Sequence, residues 1–384
     1  MRAGRRWFAA TVALGSIGLL SMLHQTTSKV AAAAAAPIRV YMTFDSSWTW
    51  GAIIDAGLRQ APSWVHFVGA RELADVEVKH IVGKKEADEA MYRPENWPPT
   101  VVVQHVIETS SGNFGREGPR DCFRRLWRRS LLTVSFHDLA LEAASGGFAF
   151  LPLPWGADGT VFLPPPADRH TALPLPPPRT GVLIAGAAAH DESLGEVLFA
   201  AAHAGVRVAH IGTEHDPLCG DCARAVTLLC SRPAALRGSR PCDFHDFYGY
   251  VSTARKVAML QRVEWVSALR KTEGFELLAV EGMLCGARPI VYNLSTYRWY
   301  AEHAVRVPPP PGSEAFEALV NVLRRPAPVM TPAELSEVRG RFDWRTISAA
   351  LFTRVRSELV AADGHAARPG RWGAVAGRDL LVSF

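Results

Sequence analysis

Lysine is scarce in this chain. The formal charge of +5 over 384 residues rests largely on arginine. With an isoelectric point near 9.0, the chain suits anionic partners such as nucleotide diphosphates or a membrane surface. No nucleic-acid-binding module accompanies that charge, which removes nucleic acid from the expected partners. Cysteine is sparse as well, with six in the whole chain. Cys219 and Cys222 form a CxxC, but Cys230 and Cys242 are too widely spaced to complete a zinc knuckle, so no metal site is expected. Long apolar runs are confined to the start. There the uncharged stretch Trp7–Leu23 is short for a membrane-spanning helix and long for a signal-peptide core.

That stretch follows Arg2, Arg5 and Arg6 and precedes six alanines at 31–36. The positive charges keep the amino end cytoplasmic. Residues 1–36 therefore read as a signal anchor, which gives a type II membrane protein with its folded part in the lumen of the ER or Golgi. Cleavage in the alanine run would release a secreted protein instead, and an organellar transit peptide is a third reading. In a luminal compartment the four clustered cysteines are expected to form local disulfides.

What is present is ordinary for a globular protein: 48% hydrophobic and 21% charged residues, enough for two cores. Apolar β-branched runs at Ile38–Thr43, Thr100–Val103, Ser130–Phe136 and Gly181–Gly186 alternate with helical patterns, which predicts α/β architecture with parallel sheets. A proline-rich stretch, Pro164–Pro178, has no apolar periodicity and reads as a linker. The division is a targeting segment (1–36), an N-terminal Rossmann-like domain (37–165), a linker (166–178), a C-terminal Rossmann-like domain (179–355) and a tail (356–384).

Residues 272–292, TEGFELLAVEGMLCGARPIVY, carry the most chemistry. Gly274 lies in a loop, Leu277, Leu278, Val280 and Leu284 repeat at helical spacing, Gly286 ends the helix, and Pro289–Val291 reads as a buried strand. Unpaired N–H groups at such a helix start can hold a diphosphate. Glu273 before the helix and Glu281 within it can each accept hydrogen bonds from sugar or ribose hydroxyls.

This stretch resembles the E-x7-E motif of retaining glycosyltransferases of the GT-B fold, the large family 4 group; Glu273, Gly274, Phe275, Glu281, Met283, Gly286 and Pro289 all match. Residues 247–265 resemble the family's strand and helix ahead of the motif. Pro154, Gly156, Asp158, Phe162 and Pro164 resemble its crossover between domains, and Phe342-Asp343-Trp344 with Ile347 and Leu351 its closing helix. The resemblance implies two Rossmann-like domains facing across a cleft. It implies transfer of a sugar from a nucleotide-diphosphate sugar to a glycan, lipid or protein acceptor, with no metal or other cofactor. In that scheme Glu273 orients the transferred sugar, Glu281 holds the ribose, and the backbone of Gly274, Phe275 and Glu276 faces the diphosphate. Gly186 and Gly51 lie near the phosphates, the latter at a strand-to-helix turn, and His105 contacts the sugar across the cleft. His80, after VEVK, competes for that last role. The arginine cluster from Arg116 to Arg129 resembles the membrane-facing helix of lipid-acting members, although a solvated helix with Phe123 and Trp127 turned to the core fits it as well.

Departures matter too. Ala187 stands where the family has an arginine, the run AAAHDESLG contains no lysine, and its candidate cation, His190, is mostly neutral at pH 7 at its ordinary pKa. Lys271, Arg255 and Lys256 are the candidates to supply the missing charge. Glu276 replaces a glycine, and LSTYRWY replaces a glycine-rich loop. These changes leave an alternative open: a catalytically degenerate GT-B protein that serves as a glycan- or partner-binding scaffold in the secretory pathway.

Overall fold

The computed structural model describes residues 37–45, 49–92, 94, 96–105, 119–165, 179–188, 193–215, 241–271, 275–300, 302–310 and 313–366. Residues 1–36, Glu273, Gly274, His190 and the cysteines at 219, 222 and 230 lie outside them. Among the described residues no helix is long and apolar enough to cross a membrane.

Two six-stranded sheets, all of whose pairings are parallel, form two Rossmann-like domains. The N-terminal domain comprises β1 (Ile38–Thr43), α1 (Thr49–Leu58), β2 (Val65–Phe67), β3 (Val76–Ile81), α2 (Lys84–Met91), β4 (Thr100–Gln104), α3 (Pro119–Arg129), β5 (Leu132–Ser135), α4 (Ala140–Gly146) and β6 (Phe150–Pro152). The C-terminal domain begins with β7 (Val182–Ala188), α5 (Leu194–Ala204), β8 (Val208–His215) and β9 (His245–Phe247). It continues through α6 (Thr253–Leu260), β10 (Trp265–Ser267), α7 (Leu277–Leu284), β11 (Arg288–Tyr292), β12 (Val305–Val307), α8 (Ser313–Leu323) and α9 (Pro332–Phe342). A last helix, α10 (Trp344–Ala366), closes the chain. Parallel strands covered on both faces need continuous apolar runs, and β4 and β11 are buried along their whole length.

The C-terminal sheet runs β12-β11-β10-β7-β8-β9. The chain builds outward from β7 through β8 to β9, then returns to start β10 on the other side of β7. The connections leaving β7 and β10 thus turn opposite ways and open a crevice at the carboxyl ends of these strands, where ligands of such sheets bind. In the N-terminal sheet, β2-β1-β3-β4-β5-β6, the same reversal falls between β1 and β3.

Helix α3 turns Phe123, Leu126 and Trp127 into a core with Ile81, Met91 and Phe148, and Trp127 Nε1 donates to Gln104 Oε1 at 3.0 Å. Burying an apolar side chain of phenylalanine size stabilises by about 1.5–3 kcal/mol. These aromatics are core residues, as in the version of this helix with Phe123 and Trp127 turned inward. Arg125, Arg128 and Arg129 remain exposed.

The crossover holds the domains together at close range. Ala157 N–H donates to Phe342 C=O at 3.0 Å. A Cβ on Gly156 would sit 2.6 Å from that same carbonyl, so only glycine allows the approach. Helix α10 then packs back on the N-terminal domain: Ser348 Oγ donates to Leu58 C=O at 2.7 Å, and Phe352 meets Phe67 edge-on at 5.9 Å. It runs past residue 355, where the sequence suggested a tail, because Phe352 and Val355 stay buried and Leu359 packs beside them. Across the cleft, Trp299 Nε1 donates to Phe136 C=O at 2.7 Å, and Arg298 pairs with Asp138 at 2.6 Å.

Candidate functional site

Helix α7 has the sequence LLAVEGML, apolar on nearly every side, and is buried from Leu278 to Leu284. A Cβ on Gly282 would come within 2.7 Å of Val266, so this glycine lets α7 lie directly on β10. Gly286 ends the helix region at φ 85°. This packing fixes Glu281 in the interior, where Lys256 of α6 reaches its Oε1 at 2.7 Å. Burial pushes the Glu281 carboxyl above its ordinary range, and Lys256 partly offsets that.

At the sheet's reversal point lies a narrow, water-sized cavity of about 10 Å³, lined by Ile184 and Ala185 of β7, Ser193, Ser267 of β10, Arg270 and Glu276. The Arg270 guanidinium is ion-paired with the Glu276 carboxylate. Two tyrosines fasten the backbone of this pair. The Arg270 N–H donates to Tyr297 Oη at 3.0 Å and Tyr297 Oη donates to Arg270 C=O at 2.9 Å. The Glu276 N–H donates to Tyr300 Oη at 3.0 Å. Both phenols are deeply enclosed, and burial drives them well above their ordinary pKa, so both are protonated. Beside them, Ser193 Oγ and Tyr292 Oη share a 2.6 Å hydrogen bond. Lys271 Nζ meets Glu196 at 2.7 Å. Ser267 Oγ is buried and has no hydrogen-bond partner.

The opposing domain presents a different environment. His105, just past β4, is 3% exposed. Trp50 and His80 meet it edge-on at 4.9 and 5.4 Å, Phe136 edge-on at 5.5 Å, and Trp155 stacks at 6.1 Å. The His105 carbonyl lies 3.0 Å from His137 Nε2. Burial first, then the neighbouring His80 and His137, holds the His105 imidazole well below its ordinary pKa, and burial lowers His80 to about 4. Both rings are neutral at pH 7.

The sequence-predicted residues divide accordingly. Glu276 lines the cavity at the start of α7, Glu281 lies within α7 on Lys256, and Lys271 is paired with Glu196. Phe275 is a core side chain, 5.7 Å from Phe136 across the cleft and 5.7 Å from Tyr300. Gly186 lies in β7 at φ 128°, where the register with β8 shifts. Two positions need correction. Gly51 is not in a turn but in the first part of α1, where a Cβ would strike the Asp45 carbonyl at 2.1 Å. His80 does not follow its strand but sits within β3, paired with Val103 of β4; the continued ladder keeps the ring inside. Arg270, Ser267 and the two tyrosines are site residues that no motif in the sequence marks. The LRK triplet holds a second cation beside Lys271, the LSTYRWY segment holds both tyrosines, and Ser267 carries no local signal.

As for cations, Glu302, His303 and Glu337 bring ligand atoms within 4.8 Å of one another. Arg341 already bonds Glu337 at 2.6 Å and Glu302 at 3.4 Å there, so a positive charge is in place.

No protein-family model matches this chain, and no curated protein matches it. Among solved structures, AviGT4, a glycosyltransferase involved in Avilamycin A biosynthesis, is 13% identical with a TM-score of 0.56 over 85% of this chain and 98% of its own. HepE of Anabaena in complex with UDP-glucose is 12% identical with a TM-score of 0.54 over 85% and 99%. Sucrose-phosphate synthase from Thermosynechococcus elongatus is 15% identical with a TM-score of 0.54 over 75% and 74%. With its two parallel six-stranded sheets joined by a crossover and a returning final helix, the chain has the GT-B glycosyltransferase fold.

Proposed function

We propose that this protein is a retaining glycosyltransferase that moves a hexose-type sugar from a nucleotide-diphosphate sugar to a glycan, lipid or protein acceptor. The observation that carries the proposal is the reversal-point cavity, which gathers Arg270, Ser267 and the start of α7 beside the helix that bears Glu281. A similar fold has been solved with UDP-glucose, in HepE.

In this reading Glu281 receives the ribose hydroxyls, exchanging part of its contact with Lys256 for them. The diphosphate meets Arg270, Lys271 and the N–H groups that open α7, which oppose the charge that develops on the leaving group. Glu273 orients the transferred sugar for same-face attack. Neutral His105, the sugar's neighbour across the cleft in this reading, can offer a hydrogen bond but no charge. Residues 37–165 supply the acceptor side and 179–355 the donor side, and residues 1–36 anchor the protein to the ER or Golgi membrane with the catalytic domains luminal.

One observation favours a second reading. Lys256, Arg270 and Lys271 each already hold a carboxylate, as a scaffold that had given up its donor would. Incubation of the protein with UDP-, GDP-, ADP- and dTDP-glucose separates the two. The proposal expects slow release of one nucleoside diphosphate as water takes the sugar in the acceptor's place, abolished by Glu281→Ala. Release from none, by folded protein, favours the scaffold.

A further inference from the structure

The cavity between β7 and β10 contains a competition. Glu276 is the residue that starts α7, with extended backbone at φ −111° and ψ 115°, yet its side chain makes no capping hydrogen bond to the helix. An acidic side chain at a helix start ordinarily gains by accepting from the first free N–H groups. Here the carboxylate lies on the Arg270 guanidinium instead. The pair is held there by its backbone: Tyr300 takes the Glu276 N–H, and Tyr297 takes both the N–H and the C=O of Arg270. The geometry is thus built to keep an anion on Arg270, and the anion is part of the chain.

A second observation shows what the cavity lacks. Ser267 Oγ, 5% exposed and lining the same cavity, has no hydrogen-bond partner. A buried hydroxyl without a partner is costly, and the cost is removed by an acceptor that enters the cavity. The Glu276 carboxylate does not bond it. A phosphate, with several acceptor oxygens around one centre, can take Arg270 and Ser267 together, whereas the tethered carboxylate leaves Ser267 without a partner.

We propose that Glu276 is an internal competitor for the phosphate position, and that donor binding displaces its carboxylate from Arg270 while the phosphate accepts a hydrogen bond from Ser267. The proposal rests on the nucleotide-sugar reading above. Glu276 then sets affinity and selectivity: only a ligand with more negative charge than the carboxylate it replaces gains by entering, which favours diphosphates over neutral sugars or monoanions. The apparent affinity of the site is the intrinsic affinity multiplied by the fraction of time that Arg270 is free of Glu276.

The test is calorimetric titration of the whole protein and of Glu276→Gln, Glu276→Gly and Ser267→Ala with inorganic pyrophosphate and with UDP, GDP, ADP and dTDP. Melting curves identify the variants that fold, and the two substitutions at 276 guard against a single failure. The expected result is an affinity for pyrophosphate and for one nucleotide that rises at least about tenfold in either Glu276 variant. The same affinities fall several-fold in Ser267→Ala. Nucleotide binding unchanged by both Glu276 variants would overturn the competition and leave the nucleotide reading standing. Pyrophosphate binding that strengthens in the variants, with no nucleotide bound by any form, would uphold the competition and remove that reading. Binding of neither overturns both.

Discussion

The two domains share one architecture and fill its most useful position with opposite materials. Around the reversal between β1 and β3, the N-terminal domain packs rings: Phe44 stacks on His80 at 5.1 Å, and His105 is walled by Trp50, Phe136 and Trp155. Around the reversal between β7 and β10, the C-terminal domain packs charges in pairs: Arg270 with Glu276, Lys271 with Glu196, Lys256 with Glu281. Packed rings cannot be traded for a soluble ligand without leaving a cavity. An ion pair can be, because an incoming anion replaces one partner and the cation stays satisfied. The same fold thus offers a rigid wall on one side of the cleft and an exchangeable surface on the other.

The largest effect should come from breaking the wall. Trp155 is 1% exposed, and Trp155→Ala should cost about 3–5 kcal/mol in urea unfolding. Next comes acid. Burial lowers the His80 pKa from 6.5 to about 4, so the unfolded chain binds the proton that the native chain refuses. Stability from this group is complete above pH 6.5 and is lost as pH falls towards 4, by about 3 kcal/mol over that window. His105 shifts in the same direction. Urea unfolding at pH 7 and 4.5 measures the slope, and a flat profile would mean that the rings are not buried as described. Smaller is the tie between the domains: Trp299→Phe removes the 2.7 Å bond to the Phe136 carbonyl and should cost about 1 kcal/mol. The smallest belongs to an exposed pair, Arg207 with Asp246. Arg207→Ala should leave the urea midpoint close to that of the unsubstituted protein, which sets surface pairing against the enclosed pairs of the cavity.

Much of the architecture was legible because burial writes itself into runs. Ile38–Thr43 and Leu277–Leu284 appear with the bounds their apolar patterns suggested. What could not be read was pairing. The alternation in VEVKHI suggests a strand with one wet face, yet Glu77 and Lys79 are buried because Arg71 and Glu89 reach them from other elements. Lys271 is the cation of the LRK triplet that stands out in the sequence, and Arg270 beside it does not. Only the fold decides that Arg270 lines the cavity while Lys271 is taken by Glu196, and the same holds for the return of α10 to the N-terminal domain. Glu276 stood out as a departure from a familial glycine, but its partner was invisible: the chain between them passes through 272–274, and no local spacing rule joins them.

The central claim is that a nucleoside diphosphate occupies the C-terminal reversal point against Glu281. Its most direct test is calorimetric titration of UDP, GDP, ADP and dTDP into the protein and into Glu281→Ala. The account predicts that one of the four binds in the micromolar range and that the substitution abolishes it. Binding of none by folded protein, or binding that Glu281→Ala leaves unchanged, would contradict it.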